Sequence, residues 1–470
     1  MRRLGPTLLL FCCLFGCGRR DAQYQRPAVV DSLDGAPPAP DFYNPVDYVA
    51  WMDRRSGRGK TPNDVHIYDG FWRIPIHQPG GNVRFVEGMP VPSDRADALL
   101  EELVAGSLWR PGQHAELEAY LVETKAHMTV FRNATGRPRF WFRPQADFED
   151  PYNPVGVLLP RLRSSRDAVR IVLVESWREG PRQVPRMFEA WKQALKHADH
   201  LQSNGLWMFA RPATEARMLV YRAMRAASAQ KILDADACQA ALSTLLASET
   251  RQSRMGDVIL MEWGGALGFL QSLYPKRRLD TSRAAVYAEL DVGELAASPV
   301  APATLAAAAD AYFSELMTVA KKPPSAAWII EVGKIEAKHD TPPMSTHPLR
   351  PFALMSMMRF FRDQLKEEAA YRATTVVLML RQYYCRHGQW PASLDQLATD
   401  DRAEVLIDPF YGGSFIYRKT QGLPVLYSVG EDAFDTGGRH RHWEYDSPFE
   451  PGYDIVYWPV QDVGEDKHTP

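Results

Sequence analysis

The chain has 470 residues, so at roughly 150 residues per domain it holds about three structural units. Its 45% hydrophobic and 24% charged content is that of an ordinary globular protein, which excludes a low-complexity or fibrous chain. The formal net charge of -2 becomes -4 once Arg2 and Arg3 are set aside, which argues against the broad basic face a nucleic-acid partner would need.

Arg2 and Arg3 open the chain, and an apolar run from Leu8 to Phe15 follows. The run is far shorter than the ~20 apolar residues of a spanning helix. A charged start, a short apolar core and a small residue at Gly16 read as a secretory signal over residues 1–16. Leu14-Phe15-Gly16-Cys17 resembles the lipobox of bacterial lipoproteins, although Phe15 is bulkier than that family prefers. The resemblance implies cleavage before Cys17, lipidation of its thiol and a partnership with a membrane. Gly18 stands where an Asp would resemble an inner-membrane retention signal. The expected address is therefore the cell envelope, at an outer membrane and facing the periplasm.

Of the five cysteines, Cys12, Cys13 and Cys17 fall in or beside the signal, leaving Cys238 and Cys385 in the body. Each sits in an apolar helical pattern, which suggests a buried free thiol. A bond between them is open to question at a separation of 147 positions.

Residues 17–40 are polar, then rich in Ala and Pro, and read as a flexible tether behind the lipid. Residues 41–150 give a mixed signal. Tyr48, Trp51, Tyr68, Phe71 and Trp72 supply apolar bulk that suits a core or a ligand groove. A helix is expected from Asp94 to Val104, capped by Ser93 or Asp94, and another from His114 to Val130. Arg137 to Arg143 alternates like a short strand.

Residues 151–348 read as a helical domain, either a bundle or a solenoid of helix pairs. Val184, Met187, Phe188, Trp191, Leu195, Ala198 and Leu201 share one helix face, and Ala216 to Ala227 repeats the pattern behind Pro212. Ala237–Ala247, Asp257–Leu273 and Thr304–Ala320 are further helices. Trp263-Gly264-Gly265 with Gly268 marks either a close helix approach or a loosened helix. The basic run Arg161, Arg163, Arg166 and Arg170 reads as a solvated helix face. Lys321 to Pro348 looks like a boundary.

The last unit, 349–470, opens with a long helix from near Pro351 to a cap at Gly388. Tyr383-Tyr384, His387-Gly388-Gln389-Trp390-Pro391, Asp408-Pro409-Phe410-Tyr411-Gly412-Gly413, Tyr427-Ser428-Val429-Gly430-Glu431-Asp432 and Asp454-Ile455 follow in order. Together they resemble the globular domain of type II secretion major pseudopilins. That resemblance covers about residues 370–458 and implies a long helix on a small antiparallel sheet. It also implies a calcium loop, for which Asp432, Asp435 and Asp454 are the carboxylates at comparable places. The inserted Arg439-His440-Arg441-His442-Trp443 brings positive charge into that loop. The chain lacks the apolar assembly helix of a true pseudopilin, so polymerisation is not expected. The whole arrangement also resembles uncharacterised exported bacterial proteins.

There is no His-Glu-x-x-His, Gly-x-Ser-x-Gly or P-loop. His66 and His77 near Asp64 and Asp69 offer acid–base groups without a nucleophile, and turn polarity explains them as well. The expected fold is α+β, a mainly helical body with a small terminal sheet. The expected role is a non-catalytic, membrane-anchored binding or scaffold protein with a partner in the cell envelope, and contact with secretion machinery is one version of it. An exported hydrolase with a site gathered from dispersed residues is the alternative.

Overall fold

The computed structural model describes residue 26 and, with interruptions, residues 33–459; the longer stretches left out are 57–64, 142–154, 248–254, 342–348 and 439–453. The leader, Cys17, Asp64, Asp69 and the insertion 439–443 lie outside the described residues. Among the described residues no helix is long and apolar enough to cross a membrane.

The chain opens with α1 (Tyr48–Ser56), β1 (Val65–Ile67), β2 (Arg73–His77) and β3 (Val83–Glu87). Then come α2 (Asp94–Val104), α3 (Ala115–Glu123), α4 (Lys125–Thr135) and β4 (Arg139–Trp141). The helical body continues through α5 (Val155–Trp177), α6 (Val184–Gln202), α7 (Trp207–Ala229), α8 (Ala235–Leu246) and α9 (Met255–Leu273). Two short helices, α10 (Thr281–Ala284) and α11 (Val292–Ala297), lead to α12 (Pro302–Ala320), α13 (Ala326–His339) and α14 (Met358–His387). The chain ends in β5 (Ile416–Arg418), β6 (Val425–Ser428) and β7 (Ile455–Trp458). The architecture is thus mainly helical with a small three-stranded antiparallel sheet, as expected for an α+β protein.

Several boundaries follow from local chemistry. Ser93 caps α2 by accepting from the Ala96 amide, and Asp234 does the same for α8 through Ala237. The expected helix His114–Val130 is two helices instead. Between them Thr124 is buried, and its hydroxyl donates to the Tyr120 carbonyl, drawing the backbone into a turn. Pro212 lies inside α7, beyond its first turn. Gly388 ends α14 at φ 69°, the left-handed cap expected there.

The presumed boundary 321–348 contains α13, whose Trp328 and Val332 are buried. The expected strand at 137–143 is β4, and it pairs in parallel with β1. In the terminal sheet Ile416 faces Tyr427 and Ser428 faces Ile455, with a register shift between Leu426 and Tyr427.

Two large cores and one small cluster (Val49, Met52 and Met261) lie among the described residues, and the two large ones each span the domain limits read from sequence. One joins α2–α8 to Leu365–Leu380 of α14 and to Leu426, Ile455 and Trp458 of the sheet. The other joins α1, α9, α12 and α13 to Phe360 and Phe361 at the start of α14. The long helix therefore serves both cores. From Phe360 to Arg381 it is buried on nearly every side, not along the single stripe that the pattern suggested.

Gly264 answers the question of the Trp-Gly-Gly segment. α9 runs unbroken, and a Cβ at Gly264 would lie 2.4 Å from the Trp51 ring of α1. The glycine is there for close approach.

The Ala/Pro segment before α1 is tied to the body, against the expectation of a flexible tether through residue 40. Arg26 pairs with Asp310 of α12 through Nε (2.8 Å) and a terminal nitrogen (3.0 Å), and it also donates to the carbonyls of Pro37 and Pro38. The Tyr48 hydroxyl donates to Pro38 at 2.7 Å. Pro has no N–H of its own, so these carbonyls are the polar groups such a run can offer.

Candidate functional site

The expected calcium loop is built differently from a cation cradle. Asp454, 2% exposed, receives the Gly438 amide at 2.6 Å and the Thr436 amide at 3.3 Å. Asp435 receives the Gly437 amide (2.8 Å) and the Tyr427 hydroxyl (2.9 Å), and it pairs with Arg418 at 3.2 Å. Those contacts, with the Gly437 amide first, hold its carboxyl below the usual range. Asp432 receives the Phe434 amide at 3.1 Å.

These carboxylates are bonded to the loop's own amides, and the Arg418 guanidinium competes with a cation for the Asp435 oxygens. Among the described residues no cluster of three or more His, Cys, Asp or Glu could hold a metal ion. The donor set among the described residues is not that of a calcium cradle. Asp435 and Asp454 both hold the turn Thr436–Gly438, and Arg418, on a neighbouring strand, is a partner that sequence order did not indicate.

His66 and His77 fall on separate two-stranded sheets, β1 paired with β4 and β2 with β3. The described residues thus give no common site for them.

A different concentration of charge lies where α6, α7 and α14 meet. Arg217 is fully buried and donates to both Glu367 oxygens at 3.1 and 3.4 Å, and to Asp199 at 3.2 Å. The Thr214 hydroxyl donates to Glu367 at 2.6 Å, and Gln364 donates in turn to Thr214 at 2.8 Å. Burying such charges is tolerable only because each is paired and hydrogen-bonded.

Around this centre the buried Asp363 and Lys366 face each other one helical turn apart. Burial pushes the Asp363 carboxyl up and the Lys366 ammonium down, with each partner opposing the other's shift. Burial also raises Glu215 and Glu431, opposed chiefly by Arg166 and Arg362 respectively. Glu431 belongs to the turn after β6, so the network joins the sheet to the helical body.

The basic run on α5 belongs to a second network. Arg170, 1% exposed, is enclosed by Asp97 at 2.8 Å, Asp167 at 3.1 Å and Glu101 at 3.3 Å. At Arg170 the expected solvated face is corrected: Asp97 and Glu101 of α2, with Asp167 of α5 itself, offset the cost of that burial. Arg166, more exposed, pairs with the same Glu101 at 2.8 Å.

A hydroxyl–imidazole pair was invisible in sequence. Ser165 Oγ lies 2.5 Å from His197 Nε2, and the His197 ring rests 4.9 Å from that of Phe131. Such a pair is the nucleophile–base arrangement of covalent catalysis. Here Ser165 is 1% and His197 4% exposed, so the hydroxyl is closed to substrate in this conformation. Glu262, pushed up to about 7 by burial, caps the start of α7 by accepting from the Trp207 amide.

Arg225 of α7 and Arg372 of α14 complete the picture. Arg225 donates to Thr374 at 2.7 Å and stands over the Tyr457 ring, and burial lowers it to about 10. Arg372 holds Glu368 at 2.6 Å and the carbonyls of Glu404 and Ile407, fixing the turn that leads to the sheet. Asp408, next in that turn, accepts from the Phe410 amide at 3.0 Å, and burial raises it to about 6.

In this arrangement charged side chains from distant segments join the helices to one another and to the turns that carry the sheet. Comparison with protein-family models, curated proteins and solved structures finds no match.

Proposed function

We propose that the chain is an exported, membrane-anchored envelope protein that works as a non-catalytic binding scaffold. The observation carrying this reading is the sharing of α14 by both cores, with the sheet seated on its C-terminal half. In the pseudopilin-like reading of residues 370–458, the helix that would join a filament is instead spent inside the molecule. The Arg217–Glu367 pair between α7 and α14, and Arg225 of α7 bonded to Thr374 of α14 and set over the Tyr457 ring of β7, support reading helical body and terminal sheet as one unit. The lipobox-like Leu14-Phe15-Gly16-Cys17 supports anchorage through Cys17, facing the periplasm from an outer membrane. A partner among envelope or secretion components fits this placement.

The test is crosslinking and affinity recovery of the tagged chain from its native membranes, with fatty-acid labelling and a Cys17→Ala control. Label on the parent alone, with envelope proteins recovered only by the parent, is the expected result. An unlabelled parent that fractionates with the control would overturn the anchor, and recovery of no specific partner would overturn the scaffold.

The hydrolase reading has one observation in its favour, the Ser165–His197 pair at 2.5 Å. It requires α5 and α6 to part. A fluorophosphonate probe labelling Ser165 in the native chain, and failing on Ser165→Ala, would favour it.

A further inference from the structure

The two body cysteines lie on elements that the fold brings together. α8 runs beside the C-terminal part of α14, and a set of hydrogen bonds fixes their register. Arg381 donates to the Leu233 carbonyl at 3.1 Å and to that of Lys231 at 3.4 Å. Gln382 reaches the Ala235 carbonyl at 3.4 Å and the Gln239 side chain at 3.1 Å. Cys385, on the same face as Arg381 and Gln382, points its thiol at the Leu233 carbonyl at 3.8 Å.

Cys238 lies between the residues that Gln382 bridges and is 0% exposed, whereas Cys385 is exposed and both are free thiols. Burial pushes the Cys238 thiol up to about 12, and the Cys385 sulfur is the next contributor, as expected for neighbouring thiols.

We propose that Cys238 and Cys385 are a paired thiol site that closes to a disulfide when the chain meets a disulfide oxidant, pinning α8 to α14. The oxidant is a small-molecule disulfide or a thiol–disulfide oxidoreductase. In the first step the exposed Cys385 thiolate attacks one sulfur of the oxidant; a mixed disulfide forms and one thiolate leaves. In the second step the Cys238 thiol loses its proton to solvent and attacks the Cys385 sulfur, releasing the second thiolate. Two protein thiols are oxidised and one small disulfide is reduced to two thiols, so electrons and atoms balance.

The asymmetry of the pair gives it an order. Cys385 is reached first, and Cys238 can respond only from within the helix interface. Because the buried thiol is mostly protonated near neutrality, ring closure quickens as pH rises.

The bond would close a loop of 147 positions between the two cysteines, and long loops bring the larger stabilisation. The sequence left this pairing open. What answers it is the α8–α14 register, which no cysteine spacing could have indicated.

The test uses the full chain incubated with oxidised glutathione, quenched with a maleimide and mapped by peptide mass. The expected product is a single linked peptide joining Cys238 and Cys385, reversed by dithiothreitol and accompanied by a higher melting temperature. Cys385→Ser, a change at an exposed position that leaves the core intact, should give no link and leave Cys238 unalkylated until the chain is unfolded. A lasting glutathione adduct on Cys385 with Cys238 still free overturns the proposal, as do links that use Cys12, Cys13 or Cys17 in its place.

The chemistry stands apart from the export reading, but the state in cells rests on it. Closure in the tube with a reduced pair in cells supports the thiol site and counts against export alone.

Discussion

At the scale of single residues, burial decides which charges matter. Asp408 has an ordinary carboxyl value of 3.8 and is raised to about 6 in the fold. The folded chain therefore binds that proton more tightly than the unfolded chain. Its contribution to stability is fully present below about pH 4 and is lost as pH rises through 6. Each pH unit in that window removes up to about 1.4 kcal/mol. Asp408→Asn keeps an oxygen for the Phe410 amide and cannot ionise. It should flatten the decline between pH 4 and 6 relative to the parent, read from urea midpoints at several pH values. Equal slopes for both proteins would refute the assignment.

Glu367 gives a second residue-scale outcome. Glu367→Leu leaves Arg217 buried with Asp199 as its remaining acidic partner, at a cost of about 3 kcal/mol. Arg217→Met combined with Glu367→Leu should lose less than the single change, because neither charge is then stranded. A double variant as unstable as the single one would show that the pair itself, and not the orphaned guanidinium, carries the energy. None of this was legible beforehand. Arg217 and Glu367 are 150 positions apart, and nothing in the pattern of either helix links them.

At the scale of elements, periodicity and caps carried far. α2 begins and ends at the residues expected from its Ser93 cap, and α14 stops at Gly388 as its glycine demanded. Where the reading failed, a tertiary cause is visible. The α3–α4 break depends on one buried threonine. α13 hid in a segment whose Pro and Lys residues outweighed Trp328 and Val332. The stripe on α14 widened because α7, α8 and α13 pack on it together with β6 and β7 of the sheet.

The α1–α9 contact provides the prediction at this scale. Gly264→Ala puts a methyl group against Trp51, and overpacking of this kind costs about 1–3 kcal/mol. Gly265→Ala is the control, since nothing lies within 4 Å of a Cβ there. Thermal melts should separate the two variants, with only the first lowered. Equal melts would mean that α1 is not held against α9.

At the scale of the whole molecule, the cores overrule the boundaries suggested by composition. Pro-rich stretches looked like linkers, yet one contains a helix and another is tied down by Arg26. The candidate site was legible only as an acidic loop, and its chemistry turned on Arg418, which belongs to another strand. Arg26→Ala would leave Asp310 fully buried with the Trp263 indole donating to it at 2.7 Å. A loss of about 3 kcal/mol is expected, with faster proteolysis between residues 26 and 48. Arg26→Ala with Asp310→Asn should recover part of the stability. No change in either readout would mean that the clasp adds nothing to the fold.

The clasp also sets a length. Position 26 lies nine residues beyond position 17, and nine residues span at most about 30 Å whatever their shape. With a lipid on Cys17, the body would hang on a leash no longer than the hydrocarbon core of a bilayer is thick. It could not search far from the membrane surface. Any partner would have to arrive within that thin layer, already bound to the membrane or drawn to it.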